Sequence, residues 1–119
     1  MRPEEGDPGY LWDMREAARE TIRFIAGTDP EGFVADRRLR LAVERELEII
    51  GEAARHVSDA YKNAHPNIPW SGIIGQRNIL AHEYGDIDPV LIWNVAHLRL
   101  PALVALLDLL LPPPPGGEG

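Results

Sequence analysis

A chain of 119 residues that is 45% hydrophobic and 26% charged has the length of one folding domain and an ordinary globular composition, which excludes wholesale disorder and leaves no room for a second core. Its formal charge of −7 excludes nucleic-acid binding by bulk phosphate neutralisation, which needs clustered cations, so any such contact must be local. The absence of cysteine excludes disulfides, thiolate zinc sites and a cysteine nucleophile, and leaves four histidines as the main candidate bases. No apolar run is expected to reach the roughly 20 residues that cross a bilayer. Met1-Arg2-Pro3-Glu4-Glu5 is polar and acidic where a signal peptide is apolar, so a cytoplasmic protein without a membrane partner is expected.

Asp7-Pro8 reads as an N-cap followed by proline at the first helical position. Leu11, Met14, Ala18, Ile22 and Ile25 then recur at steps of three and four, predicting a helix to about Gly27. Thr28-Asp29-Pro30-Glu31-Gly32 is turn chemistry, with a short helical turn expected at Phe33-Val34. From Asp36 onward, Leu39, Val43, Leu47, Ile50, Ala54 and Val57 form one apolar stripe of a long second helix, the strongest periodic signal in the chain. Gly51 inside it lowers helix stability by roughly 1 kcal/mol relative to alanine, which points to another backbone passing close by. The cluster Arg37-Arg38-Leu39-Arg40 reads as a solvated helix start.

His65-Pro66-Asn67-Ile68-Pro69 breaks the pattern, because proline disfavours a helical conformation in the residue before it. A third helix restarts at Pro69-Trp70, carries Ile73, Ile74, Ile79 and Leu80, and frays near His82 ahead of a loop at Gly85-Asp86-Ile87. Asp88-Pro89 repeats the Asp-Pro start, and a fourth helix runs through Trp93, Leu98 and Leu106 to about Leu111. It should be kinked near His97, because Pro101 removes a backbone donor and frees that carbonyl. Residues 112–119 read as a disordered Pro/Gly tail outside a single helical domain of residues 1–111. The fold class is therefore all-α, an up-and-down bundle of four main helices plus a short helical turn. Ile49, Leu91, Ile92, Leu103 and Leu107 exceed one apolar stripe per helix, and a homodimer is expected to bury the surplus.

Chemistry concentrates in Gly75-Gln76-Arg77-Asn78-Ile79-Leu80-Ala81-His82-Glu83-Tyr84-Gly85. Arginine offers a planar fork of donors for phosphate, and histidine titrates near neutral pH, a pair that suits phosphodiester chemistry. Five residues apart on a helix, Arg77 and His82 diverge by roughly 140°, whereas Asn78 and His82 share a face. Convergence of Arg77 and His82 therefore needs a bent helix end or a second subunit. A rival constellation, Glu44, Glu48, Glu52 and His56 at steps of four, lacks the Glu-x-x-His pairs of di-iron bundles. It reads as a solvated face or an ion-pair lattice with Arg45, Arg55 and their neighbours, with no metal or other cofactor expected. His56, His65 and His97 read as structural or exposed.

The run Arg77-Asn78-Ile79-Leu80-Ala81-His82, extended by Tyr84, resembles the Arg-x4-His-x-Tyr motif of HepT-like toxins in the HEPN ribonuclease superfamily. Tyr10-Leu11-Trp12-Asp13-Met14, Ala42-Val43-Glu44-Arg45, Leu47-Glu48-Ile49-Ile50-Gly51-Glu52-Ala53-Ala54 and Ile68-Pro69-Trp70 look like that family's recurrent segments, so the resemblance spans about Gly9 to Leu111. It implies a HEPN-like helical homodimer acting as a metal-independent endoribonuclease toxin on RNA. Arg77 and His82 would be catalytic at a dimer cleft, with Asn78 in support. It also implies a partner, a minimal nucleotidyltransferase antitoxin of the MntA type, which neutralises the toxin by AMPylation of the tyrosine corresponding to Tyr84. The alternative is a non-catalytic HEPN scaffold that binds nucleotide or RNA for such a transferase. Glu83 and Gly85 depart from the family pattern. A carboxylate at Glu83 would favour a protonated imidazole and oppose an incoming phosphate.

Overall fold

A computed structural model of the chain describes residues 3–82 and 87–113. After a 3-10 turn at Pro3–Gly6 come α1 (Asp7–Ile25), α2 (Pro30–Ala35), α3 (Arg37–His56), α4 (Asp59–Ala64), α5 (Trp70–His82), α6 (Pro89–Asn94) and α7 (Leu100–Asp108). A π turn at Val95–Arg99 joins α6 to α7. Among the described residues there is no strand, and the architecture is an all-helical bundle, as the periodicities predict. Of the expected tail, residues 114–119 lie outside the described residues.

Short polar side chains start most of these helices. Asp29 accepts from the Gly32 N–H at 2.7 Å, Asp36 from Leu39 at 3.0 Å, Ser58 from Tyr61 at 3.1 Å and Asp88 from Val90 at 2.9 Å. Each bond satisfies a donor that a helix N-terminus would otherwise leave unpaired. Asp29-Pro30 thus starts α2 ahead of the turn expected at Phe33-Val34, and α4 follows Ser58 in a stretch where sequence periodicity shows nothing. Asp7 corrects the first cap assignment. It is the opening residue of α1, and its buried carboxylate accepts from the Ser58 N–H at 2.8 Å and the Ser58 hydroxyl at 2.6 Å. One carboxylate therefore pins the start of α1 to the start of α4.

The core forms where α3 packs on both α1 and α5 while α1 also packs on α7. Met14, Ala18, Val43, Ala54, Ala96 and Leu107 are wholly shielded from solvent. Phe33 of α2, equally buried, tilts against Trp93 with ring centroids 5.5 Å apart. Besides Asp7, two charged side chains join this interior. Arg15, only 1% exposed, donates to Asp108 Oδ1 at 3.1 Å and to the Pro112 carbonyl at 2.7 Å, and lies over the Trp12 ring. Glu46, 7% exposed, lies beside Glu20, and burial together with that neighbouring carboxylate pushes it up to about 7.

The disturbance expected near His97 takes the form of the π turn, in which the Leu100 N–H reaches back to the Val95 carbonyl just before Pro101. Widening the helix by one residue accommodates a ring that cannot donate and that crowds the carbonyl four residues earlier. The continuous helix Pro89–Asp108 also overturns the expectation that no segment could span a bilayer, since by length and composition alone it is long and apolar enough. Two apolar faces explain this. Ile92, Trp93, Ala96, Leu100, Leu103 and Leu107 are buried in the bundle, whereas Val90, Leu91 and Leu98 remain exposed.

Candidate active site

The site is built around Arg77, and its position follows from a missing side chain on the facing helix. At Gly51 of α3, an added Cβ would collide with Arg77 Cβ, lie 2.8 Å from its Cγ and come within 3.2 Å of the Ile73 carbonyl oxygen. The backbone approach expected from a glycine inside a helix is therefore present, and its occupant is the stem of Arg77. With no room to turn inward, the guanidinium runs along α3 to the next residue, where Nη2 lies 3.3 Å from Glu52 Oε1. Nη1 donates to Asn78 Oδ1 at 3.3 Å. The side chain is 30% exposed, held on one flank and open on the other.

Glu52 is a hub. Arg55 Nη2 and His56 Nε2 lie 3.1 and 3.0 Å from Glu52 Oε2, and Arg55 Nε donates to Oε1 at 3.3 Å. The hydrogen bond from Arg55, then that from His56, with the charges of Arg55 and Arg77 adding, hold the Glu52 carboxyl down at about 2. It is anionic at any working pH. A cleft of about 290 Å³ opens beside this cluster, walled among others by Tyr10, Asp13, Arg45, Glu48, Glu52, His56 and Arg77. Tyr10 stacks on His56 there, with ring centroids 5.3 Å apart and planes 21° from parallel.

Of the residues expected to carry chemistry, Arg77 and Asn78 are thus adjacent and bonded to each other on α5. The α5 backbone stays helical to His82, so positions 77 and 82 stand roughly 140° apart about its axis. The His82 side chain, Glu83 and Tyr84 lie outside the described residues. On another flank of α5 runs an apolar groove of about 400 Å³, lined among others by Ile73, Ile79, Leu80, Leu91, Val95 and Leu103. Ile79 is 51% and Leu91 58% exposed beside it.

Comparison with known proteins bears on what this arrangement serves. The family described as Ribonuclease HepT-like matches residues 14–110, which contain both helices of the Arg77 seat. The chain belongs to the HepT-like ribonuclease family. As a member it is an endoribonuclease of HEPN type. An inferred RNase of Methanocaldococcus jannaschii is 38% identical over 94 residues, covering 79% of this chain and 86% of its own. An inferred ribonuclease HepT of Thermococcus cleftensis is 35% identical over 94 residues, with 79% and 86% covered. An inferred RNase of Caldanaerobacter subterraneus subsp. tengcongensis is 34% identical over 94 residues, with 79% and 84% covered. No solved structure matches the chain.

Within this HepT-like fold, Glu52, His56 and Tyr10 are the residues that sequence reasoning undervalued. The ion-pair lattice expected on α3 exists, with Arg45 3.5 Å from Glu48 and Arg55 3.1 Å from Glu52. Spacing along α3 reveals that lattice but not its extension to Arg77 on another helix. The available signal was Gly51, because the residue next to a point of helix contact is well placed to meet the visiting side chain. His65, in contrast, is structural as expected, its Nδ1 lying 3.0 Å from the Tyr61 carbonyl. His97 stacks on Trp93.

Proposed function

We propose that this chain is the cytoplasmic, metal-independent endoribonuclease toxin of a toxin-antitoxin pair, acting as a homodimer through Arg77 and His82. The observation that carries the reading is the Gly51 seat, which holds a phosphate-binding side chain in one orientation with one flank open. A fixed guanidinium loses little freedom when it binds a developing phosphorane, which is the condition for electrostatic stabilisation of a transition state. His82 would take the proton of the RNA 2′-hydroxyl as that oxygen attacks phosphorus. The bond to the 5′-oxygen breaks and that oxygen takes a proton from water as it leaves, giving a 2′,3′-cyclic phosphate and a 5′-hydroxyl. Asn78 would help Glu52 hold the guanidinium, through the bond that its Oδ1 accepts from Arg77.

The 140° separation within one helix favours pairing Arg77 and His82 across two copies, and the apolar groove beside Ile79 and Leu91 supplies a surface for the second copy. An MntA-type nucleotidyltransferase would neutralise the toxin by transferring AMP to the Tyr84 hydroxyl, placing a bulky anion two residues from His82 that repels RNA. The non-catalytic scaffold is the second reading, favoured by the carboxylates of Asp13, Glu48 and Glu52 lining the cleft beside Arg77. The test is cleavage of total RNA in EDTA by the wild type and by His82→Ala, with product ends identified. Cleavage by the wild type alone, leaving cyclic phosphate ends, is expected. Equal behaviour of the two proteins, with no growth arrest when the chain is expressed alone, would turn the assignment to the scaffold.

A further inference from the structure

The cleft beside Arg77 has a chemistry of its own that phosphate binding does not use. Its wall combines the Tyr10–His56 stack with three carboxylates, Asp13, Glu48 and Glu52, and with the guanidinium groups of Arg77 and Arg45, the latter 3.5 Å from Glu48 Oε2. Carboxylates repel a phosphate but accept hydrogen bonds from the amino and imino groups of a base, and stacked aromatic rings offer a surface for its π-face. One carboxylate also sets the distance to Arg77, because Glu52 binds Arg77 through Oε1 and His56 through Oε2. The stacking surface is therefore one carboxylate away from the guanidinium, within the reach of a base attached to a phosphate held by Arg77.

From these features we infer that the cleft is a nucleobase subsite for the nucleotide next to the scissile phosphate, selective for an amino-bearing base (guanine, adenine or cytosine) over uracil. The inference rests on the ribonuclease reading for its role in cleavage but not for binding itself. Tyr10 and His56 supply stacking. Asp13 and the Glu48 oxygen that Arg45 leaves unpaired supply acceptors, and uracil, with a single imino donor and two carbonyl acceptors, satisfies them least.

Two measurements separate the subsite from the reading beneath it. The first is an NMR titration of the whole chain with each of the four 5′-mononucleotides. GMP, AMP and CMP should shift the Tyr10 and His56 ring resonances more strongly than UMP. Tyr10→Leu should weaken binding roughly tenfold, while Tyr10→Phe, which keeps the ring and guards against a folding defect, should bind like the wild type. The second is sequencing of cleavage ends. Wild type should disfavour uridine on one side of the cut, Tyr10→Leu should raise KM roughly tenfold with kcat within about twofold, and Glu48→Gln should flatten the base preference. Binding without cleavage would keep the subsite and sink the ribonuclease mechanism. Cleavage with a base profile indifferent to Tyr10→Leu and Glu48→Gln would sink the subsite alone. UMP binding as tightly as GMP would overturn the selectivity and with it the proposal.

Discussion

At the scale of single residues, the arrangement depends on places where one side chain would be wrong. Gly51→Ala gains helix propensity but drives a methyl group into Arg77, so it should lower stability by about 1–3 kcal/mol in urea unfolding and reduce RNA cleavage by displacing the guanidinium. A gain in stability with unchanged cleavage would show that α5 yields freely at that point. Glu46 gives a pH signature. Its folded-state value is raised from 4.5 to about 7 by burial and by Glu20, so the folded chain binds a proton that the unfolded chain has released. Stability must then fall as pH rises from about 4.5 through about 7. Glu46→Gln should remove that slope, stabilising the protein at pH 8 and changing it little at pH 4, as thermal melts across that range would reveal. The Glu52 hub was only half legible at this scale. Steps of four along α3 expose Glu48, Glu52 and His56 as neighbours, but no one-dimensional spacing can say that Arg77 reaches them from another helix.

At the scale of elements, the sequence announces its helices through caps as much as through periodicity. Asp36 and Asp88 cap the helices they precede, and Asp29-Pro30 was the same signal read as a turn. The Asp7-Pro8 start misleads because a carboxylate at a helix N-terminus is favourable whichever donors it finds, and Ser58 offers two. Asp7→Ala should therefore loosen α4 as well as α1, leaving the Ser58 N–H without its partner and lowering stability by about 2 kcal/mol. Hydrogen exchange should show faster opening across residues 58–64 than Asp29→Ala produces there. The π turn belongs to the same account. Pro101 is visible in the sequence as a disturbance, but whether a helix answers a proline by bending or by widening depends on packing that fixes the segments on either side.

At the scale of the whole molecule, the bundle was readable from apolar stripes, and so was an apolar surplus on Pro89–Asp108, but not its placement, since of the surplus residues Ile92, Leu103 and Leu107 are buried in the bundle and Leu91 is exposed. A helix with one apolar face in its own core and Val90, Leu91 and Leu98 outside resembles a bilayer span in composition. If that outer face seats a second copy, Leu91→Asp should leave the monomer folded, shift its mass in light scattering from dimer to monomer, and abolish cleavage. A folded variant that remains dimeric would place the interface elsewhere. Arg15 carries a further consequence. Among the described residues, the guanidinium that α1 buries finds its acceptors at Asp108 and Pro112, and α1 itself packs on α7. Those bonds join residues 93 and 97 positions apart in sequence, so the charge of Arg15 is covered only by a long-range docking of the two helices, which must close together.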